Sequence, residues 1–160
     1  MIKQITKADI SKCTKVIRES FLTVAEEFGI TPENAPRFTA FATTEDRLYR
    51  QLESEHRPMF AYFDDVNIVG YYSLKKDDGV CELNNLCTLP NYRHKKIGEK
   101  LLYDAFEQAK MLGCSKMILS FVEENKRLRR WYENHGFIHT GTEKLDFFPF
   151  TCGYMEIELQ

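Results

Sequence analysis

Residues 80–122 read VCELNNLCTLPNYRHKKIGEKLLYDAFEQAKMLGCSKMILSFV, and this stretch decides the fold. Its first part, residues 80–89, is rich in β-forming residues, and its last part, residues 116–122, is an apolar run of strand length. Between them, apolar residues recur at helical spacing over residues 97–112, and a glycine follows. The stretch therefore predicts a strand, a crossover helix and a second strand.

The segments before this unit predict helices and an antiparallel meander. A first helix ends at Gly29 and is indicated by apolar residues at steps of three and four, namely Ile10, Cys13, Ile17, Phe21, Val24 and Phe28. A shorter helix is predicted over residues 45–53, after a long irregular segment. Strands over residues 59–63 and 68–74 are separated by polar turns and form a meander with the strand at 80–89.

The segments after the unit predict a last helix over residues 126–134 and two strands around an aromatic loop. A meander followed by a strand-helix-strand crossover predicts one α/β (α+β) domain over residues 1–160. Its central sheet is expected to be mixed and mostly antiparallel, with helices flanking it.

Composition narrows the class of protein. The chain has 160 residues, of which 43% are apolar, and its 22 basic and 24 acidic residues give a formal net charge of −2. Nucleic-acid and membrane-surface proteins are usually basic, and no apolar run approaches the roughly 18 residues of a membrane span. Five scattered cysteines without a C-x-x-C pair indicate neither disulfides nor a metal site. A cytoplasmic protein without nucleic-acid or membrane partners is expected.

A short basic turn, Arg93-His94-Lys95-Lys96, stands before the crossover helix. The first amide groups of a helix are unpaired and lie at the positive end of its dipole, so the turn suits a phosphate group. A solvated basic turn that only caps the helix is the alternative.

This turn carries a resemblance to a known family. Arg93-x-x-Lys96-x-Gly98, preceded by Leu86-x-Thr88-x-Pro90, resembles the (Q/R)-x-x-G-x-(G/A) acyl-CoA pyrophosphate loop of the GNAT-family N-acetyltransferases. A second family signature follows after a strand, as Asn125-x-x-x-x-x-x-Tyr132-x-x-x-Gly136-Phe137. The first loop glycine of the family is Lys96 here, and its side chain is expected to point outward.

The resemblance implies a GNAT-like fold and an acetyl-CoA-dependent N-acetyltransferase. The acetyl group would pass to a primary amine of a small molecule or peptide by direct attack in a ternary complex. Acetyl-CoA contacts are implied for Leu86, Cys87, Thr88, Arg93, His94, Lys95, Lys96, Ile97, Gly98 and Asn125. The strand edge at 86–88 would bind the pantetheine arm as an added strand does, and Asn125 would also cap the last helix.

Two residues are predicted to be catalytic. The resemblance implies that Tyr132 protonates the departing CoA thiolate, although Leu128, Trp131 and Tyr132 also share the helical spacing of core residues. A phenol is a weaker acid than a thiol, so this role needs placement or a lowered phenol pKa. Glu82 is the candidate base for the amine. The alternative is that Glu82 is an exposed strand residue paired with Lys75 or Lys76, and that a water chain serves as the base.

The resemblance places the acceptor between the first helix and the final strands. Its predicted sources are Glu26, Glu27, Phe28, Asp146, Phe147, Phe148, Phe150 and Tyr154, whose carboxylates and rings suit a cationic amine. The alternative for Glu26 and Glu27 is a solvent-exposed helical face. The alternative for the phenylalanines is a hydrophobic cover over the end of the sheet.

Other functions and assemblies stay open on the sequence. A non-catalytic acyl-CoA-binding or sensing module would keep the cofactor groove without transfer chemistry. A nucleic-acid module using residues 93–96 and the basic run 126–130 is disfavoured by the net charge. A homodimer through the terminal strands and the aromatic segment 147–154 is implied by the resemblance.

Overall fold

A seven-stranded sheet forms the centre of the chain, and the computed structural model describes residues 1–160. The strands are Ile2–Gln4 (β1), Met59–Asp64 (β2), Asn67–Asp77 (β3), Val80–Thr88 (β4), Lys116–Val122 (β5), Ile138–Glu143 (β6) and Cys152–Glu158 (β7). The helices are Ile10–Phe28 (α1), Thr39–Ala42 (α2), Glu45–Glu53 (α3), Ile97–Met111 (α4) and Lys126–Asn134 (α5).

The strand order is β1-β2-β3-β4-β5-β7-β6, and only the pair β4–β5 is parallel. The crossover through α4 joins this pair, because parallel neighbours cannot be joined by a tight turn. The sheet is mixed and mostly antiparallel, which confirms the predicted fold class.

Helices cover both faces of the sheet. Alternation along β3 directs Tyr71 towards α1, where it packs in one core cluster with Ile17, and directs Tyr72 towards α4, where it packs in another with Leu101. The Tyr72 hydroxyl donates a hydrogen bond to Asp104 on α4, with an Oη–Oδ2 distance of 2.6 Å. Two apolar layers thus fix α1 and α4 on opposite sides of the central strands.

The predicted helices and the crossover are confirmed, but the order of the last strands in the sheet differs from their order along the chain. Strand β7, the last in the chain, lies between β5 and β6. The irregular segment before α3 also contains the single helical turn α2. None of the helices is both long enough and apolar enough to cross a membrane.

Candidate active site

Strands β4 and β5 separate part-way along the sheet. They pair at only three positions, the last of which sets Glu82 opposite Ile118. A bulge at Asn85, whose φ of 57° lies in the left-handed region, then bends β4. Residues 83–88 remain paired with β3 on one side and present a free strand edge on the other.

A cavity of about 510 Å³, called here the first cavity, follows this free edge. Its walls come from β4, the second half of α1, the start of α4 and α5. The end near α4 is polar and cationic, with Arg93, His94 and Lys96 among its lining residues. Helix α5 contributes the apolar and aromatic side chains of Leu128, Trp131 and Tyr132 together with the charged Arg127, so the cavity has both charged and aromatic walls.

The start of α4 offers amide groups to the cationic end. The chain enters the helix at Lys96, with a φ of 59° and a ψ of 24°, and the Lys100 amide is the first to reach a carbonyl, that of Lys96 at 3.1 Å. The amides of residues 97–99 have no intrahelical acceptor. Together with the helix dipole they favour an anion at this end.

Gly70 on β3 allows α4 to lie this close to the sheet. A Cβ atom at residue 70 would stand 2.8 Å from Leu101 Cδ1 and 3.2 Å from both Cys87 O and Ile97 Cγ2. Contacts this short force a neighbour to move, so the first turn of α4 is positioned by a residue without a side chain.

Arg93 joins the turn before α4 to α1. Its Nη2 donates to Ser20 O and to Thr23 Oγ1, both at 2.9 Å, and its Nε donates to Thr88 O at 3.2 Å. Hydrogen bonds from a charged donor are stronger than neutral ones. The guanidinium thus fixes the cationic wall of the cavity against the neighbouring helix.

A second cavity, of about 170 Å³, adjoins the first. The two share the lining residues Phe21, Val24, Leu86, Asn125, Leu128 and Tyr132. Thirteen of the seventeen residues that line the second cavity are hydrophobic, and none is charged. Two covering segments, residues 30–44 and 144–151, contribute the rings of Phe38, Phe148 and Phe150.

Tyr132 lies where the two cavities meet. It is 6% exposed, and its ring packs 5.3 Å from that of Phe137. Burial, with a smaller contribution from the Cys87 thiol, raises the pKa of the phenol above its ordinary value. The lowered pKa considered from the sequence is therefore not found, and the phenol stays protonated through neutral pH.

A comparison with known families bears on this site, because the match contains nearly all of its residues. The model of the acetyltransferase (GNAT) family matches residues 23–137, which is more than half of the chain. The chain belongs to the GNAT family. The resemblance read from the two sequence signatures is confirmed.

Relatives of this GNAT chain carry acetyltransferase names. It is 24% identical to YjgM, an uncharacterized N-acetyltransferase of Escherichia coli, over all of its own length and 92% of that protein. It is 33% identical to the spermidine N(1)-acetyltransferase of Thermoplasma acidophilum over 53% of each chain.

Solved structures share the fold of this GNAT chain. The PaiA N-acetyltransferase of Thermoplasma acidophilum, in complex with coenzyme A, matches with a TM-score of 0.85 at 23% identity, over 99% of this chain and 98% of that one. YncA of Salmonella typhimurium, with its cofactor acetyl-CoA, matches with a TM-score of 0.78 at 19% identity, over 100% and 94%. At these identities the likeness shows the GNAT fold.

The structure of this GNAT chain brings most of the predicted cofactor residues together. Those that line the first cavity are Leu86, Cys87, Thr88, Arg93, His94, Lys96, Gly98 and Asn125. Lys95 and Ile97 do not: Lys95 Nζ lies 4.9 Å from the centre of the Tyr92 ring, and Ile97 is 4% exposed in the core. Lys96 is exposed, as expected from the sequence.

Asn125 and Cys87 have the local structures that the sequence predicts. Asn125 Oδ1 accepts the Leu128 amide hydrogen at 3.3 Å and so caps α5. Cys87 is 9% exposed, and burial raises the pKa of its thiol to about 12. A thiol in this state is a poor nucleophile, so Cys87 serves as a small apolar residue of β4.

The two predicted catalytic residues of this GNAT chain lie apart. Tyr132 stands at the junction of the cavities, whereas Glu82 lines neither of them. Glu82 lies opposite Lys75 on β3 and Ile118 on β5, before the strands separate. The position opposite Lys75 agrees with the alternative interpretation as a strand residue, but Glu82 is half-buried rather than exposed. No carboxylate lines the second cavity, so the structure identifies no base there.

The predicted acceptor residues are also dispersed. Glu27 lines the first cavity rather than the second, and its two carboxylate oxygens accept from Arg127 Nη2 at 2.6 and 2.8 Å. Phe28 and Asp146 line neither cavity. Of the other predicted acceptor residues, only Phe148 and Phe150 line the second cavity.

Several lining residues have no signal in the sequence. Phe38 and Thr39 lie in a segment without periodicity and reach the second cavity only through the tertiary fold. Trp131 has the spacing of a core residue, and Arg127 belongs to a basic run, yet both line the first cavity. Local sequence patterns do not reveal such contacts, because the contacts join segments that are distant in the sequence.

Proposed function

We propose that the chain transfers the acetyl group of acetyl-CoA to a primary amine by direct attack in a ternary complex. The observation that carries this proposal is the meeting of two cavities at Tyr132, beside the free edge of β4. A thioester entering along the first cavity and an amine entering from the second would meet at that point. GNAT structures with coenzyme A and acetyl-CoA, and a relative named for spermidine, support this choice of reactants.

The first cavity suits two parts of the cosubstrate, the pyrophosphate and the pantetheine arm. The pyrophosphate fits the amides of residues 97–99, with Arg93, His94 and Lys96 supplying positive charge. The pantetheine arm fits residues 86–88 as an additional strand. The side chains of Lys95 and Ile97 take no part, so only their backbone groups are available to the ligand.

In the proposed reaction, the amine nitrogen attacks the thioester carbonyl carbon, and negative charge develops on the carbonyl oxygen. A strand-edge amide near Cys87 stabilises this oxyanion, a type of contact that contributes about 3 kcal/mol in other enzymes. Collapse of the tetrahedral species breaks the C–S bond. The thiolate takes the Tyr132 proton, and the proton lost by the amine passes to water, directly or through a water chain that leads to Glu82. Solvent then restores the phenol proton.

The raised pKa of Tyr132 is compatible with this step because the acceptor of the proton shares its surroundings. Burial disfavours charge on the phenol, and it also disfavours charge on a thiolate that forms beside it. Both pKa values rise in such surroundings, so the raised pKa of the phenol does not by itself oppose the transfer.

The proposal is tested by titrating acetyl-CoA calorimetrically and then measuring thiol release with a panel of amines. Tyr132→Phe is expected to lower kcat by about 100-fold or more and to leave the acetyl-CoA Kd nearly unchanged, because a general acid acts on the transition state. Tyr103→Phe is the matched control, since Tyr103 is 49% exposed and lines neither cavity.

Four outcomes separate the alternatives. Amine-dependent release that is lost in Tyr132→Phe supports both the reaction and the role of the phenol. Binding without release for every amine favours an acyl-CoA-binding module, and the absence of binding overturns the use of the first cavity. Equal kcat values in Tyr132→Phe and the control remove Tyr132 from the mechanism.

Location and assembly stay predictions. All five cysteines are unpaired and buried, which supports the proposed cytoplasmic location, where thiols stay reduced. The proposed homodimer would use the outer strand β6, where Ile138 is 63% exposed, and Phe147, which is 41% exposed. Light scattering at working concentration is expected to give twice the chain mass, and a monomer contradicts the dimer.

A further inference from the structure

The second cavity is lined by rings and aliphatic groups, and it extends away from the proposed position of the thioester. We infer that the acceptor is a primary amine carrying an aromatic or bulky apolar group, and that this group occupies the second cavity. The inference rests on the proposed function, and it differs from the cationic acceptor predicted from the carboxylates of the sequence.

The rings of the second cavity are arranged at varied angles. Phe148 stacks on Phe150 at 4.6 Å and 21°, Phe38 meets Phe150 edge-on at 5.7 Å and 78°, and Phe21 meets Phe38 at 6.3 Å and 75°. Aromatic groups gain from both offset-stacked and edge-to-face contacts. A flat apolar substituent in the cavity could therefore make stacked or edge-to-face contacts with more than one of these rings.

A second ammonium group finds no ionic partner in the second cavity, because its polar lining residues are all neutral. Of the charged residues on or beside its covering segments, Glu33 and Asp146 line neither cavity, and three others have contacts elsewhere. Arg37 lies 4.4 Å from the centre of the Phe147 ring, Lys144 donates to a backbone carbonyl, and Glu124 accepts the Thr151 amide hydrogen at 3.1 and 3.2 Å. Burying an unpaired ammonium is costly, which disfavours a polyamine as the acceptor.

Size and access also suit an aromatic amine. The cavity volume is about 170 Å³, and an apolar cavity of about 150 Å³ in another protein accommodates a benzene molecule. Thr39 and Phe148 are only half-buried, so the cavity reaches the surface on the side of the covering segments. An acceptor needs such an entrance when acetyl-CoA fills the first cavity, whereas the tail of a longer acyl group does not.

The apolar lining also acts on the attacking nitrogen. An amine is protonated in water at neutral pH, and burial among apolar groups lowers its pKa. The neutral, nucleophilic form is thereby favoured without a carboxylate in the second cavity. The proton that the nitrogen loses after attack then passes to water, because Glu82 lines neither cavity.

The test compares kcat/KM for 2-phenylethylamine, 1,4-diaminobutane and spermidine at saturating acetyl-CoA. We expect 2-phenylethylamine to exceed both polyamines by at least about tenfold, the scale set by burying one apolar group. Phe148→Ala is expected to reduce this preference severalfold. Phe147→Ala is the matched control, because the neighbouring Phe147 is 41% exposed and lies outside the cavity.

A polyamine that equals or exceeds 2-phenylethylamine overturns the inference. A second arm replaces acetyl-CoA by hexanoyl-CoA: if Phe148→Ala lowers hexanoyl transfer and leaves the amine preference unchanged, the cavity holds an acyl tail and the inference is overturned. Melting temperatures of both variants show whether a loss reflects folding.

Failure of the proposed function is detected separately by binding. With CoA present, the protein is titrated with N-acetyl-2-phenylethylamine and with N-acetyl-1,4-diaminobutane, the two products. Tighter binding of the aromatic amide supports the inference even when no amine is turned over, and equal or weaker binding overturns it. Turnover of polyamines alone leaves the acetyltransferase proposal intact and rejects the aromatic acceptor.

Discussion

The first and second cavities meet at Tyr132 but differ in the groups that line them. The first combines a strand edge, helix amides and cationic side chains, and its walls are the regular elements β4, α4, α1 and α5. The second is largely made of side chains, several of which come from irregular covering segments. Binding in the first depends mainly on backbone geometry, and binding in the second depends on which side chains are present.

This difference implies that one half of the site can change its ligand while the other keeps it. A backbone contact survives most substitutions, but it is lost when a helix or strand moves. A side-chain contact is lost with the side chain and leaves the sheet intact. Changes confined to one cavity test this separation, and a change in one cavity that alters binding in both would show that the two are not separable.

The largest expected effect is on the pH dependence of kcat/KM. With 2-phenylethylamine it is expected to rise about tenfold per unit between pH 7 and pH 9, because only the neutral amine attacks and its pKa in water is near 10. No fall is expected below about pH 10, because burial raises the pKa of Tyr132 and keeps the phenol protonated. A flat profile from pH 7 to pH 9 would indicate a base that accepts the amine proton within the complex.

Gly153→Ala is expected to damage the second cavity selectively. The new Cβ would overlap Glu123 Oε2 and stand 2.6 Å from Cε1 of Phe121, a lining residue. Glu123 is fixed by His139 at 2.8 Å, so the overlap is expected to cost about 2 to 3 kcal/mol of unfolding free energy and roughly 5 to 10 °C in Tm. The amine KM should rise while the acetyl-CoA Kd stays constant; a weaker Kd argues against separate cavities.

Gly70→Ala is the corresponding change at the first cavity. Its Cβ would push Leu101 and Ile97, so α4 is expected to shift at a cost of about 1 to 2 kcal/mol, with weaker acetyl-CoA binding by calorimetry. Tyr103→Phe, at an exposed residue that lines neither cavity, is the control for the binding assay. Unchanged acetyl-CoA affinity in Gly70→Ala would show that the position of the α4 amides is unimportant.

The smallest effect is expected at Lys96, where a non-glycine residue holds a φ of 59°. Lys96→Gly is expected to raise the unfolding free energy by up to about 1 kcal/mol, since relief of left-handed strain is partly offset by a more flexible unfolded chain. Lys96→Ala keeps the strain and removes the charge. If both variants weaken acetyl-CoA binding equally, the ammonium contacts the ligand; if only Lys96→Ala does, the backbone at this position limits binding.

Much of the fold follows from periodicity in the sequence. The apolar spacing of α4 and the strand-length runs around it are local properties, and so is the glycine that ends α1 at a φ of 66°. The insertion of β7 between β5 and β6 is not local, because it depends on which strand edges find partners after the chain has passed both. Nothing in the sequences of β6 and β7 predicts that strand order.

The candidate site divides in the same way. Residues 86–98 lie together because one turn joins a strand to a helix, so a motif describes them well. The ring centres of Phe38 and Phe150 lie 5.7 Å apart, although more than a hundred residues separate the two in the sequence. The carboxylate of Glu27 illustrates the opposite error: its place on α1 suits a cationic ligand, but Arg127 on α5 neutralises it.

The free edge of β4 has a consequence for solubility. Unpaired strand edges normally invite strands of other molecules and promote aggregation, and proteins protect them with charges, bulges or covering segments. Here the edge lies inside the sheet, between β4 and β5, next to the bulge at Asn85 and between the walls formed by α1 and α5. A slender, flexible chain can extend along it, whereas a polypeptide strand with its side chains meets the flanking helices. The gap proposed to hold the pantetheine arm thus excludes a partner for amyloid-like growth.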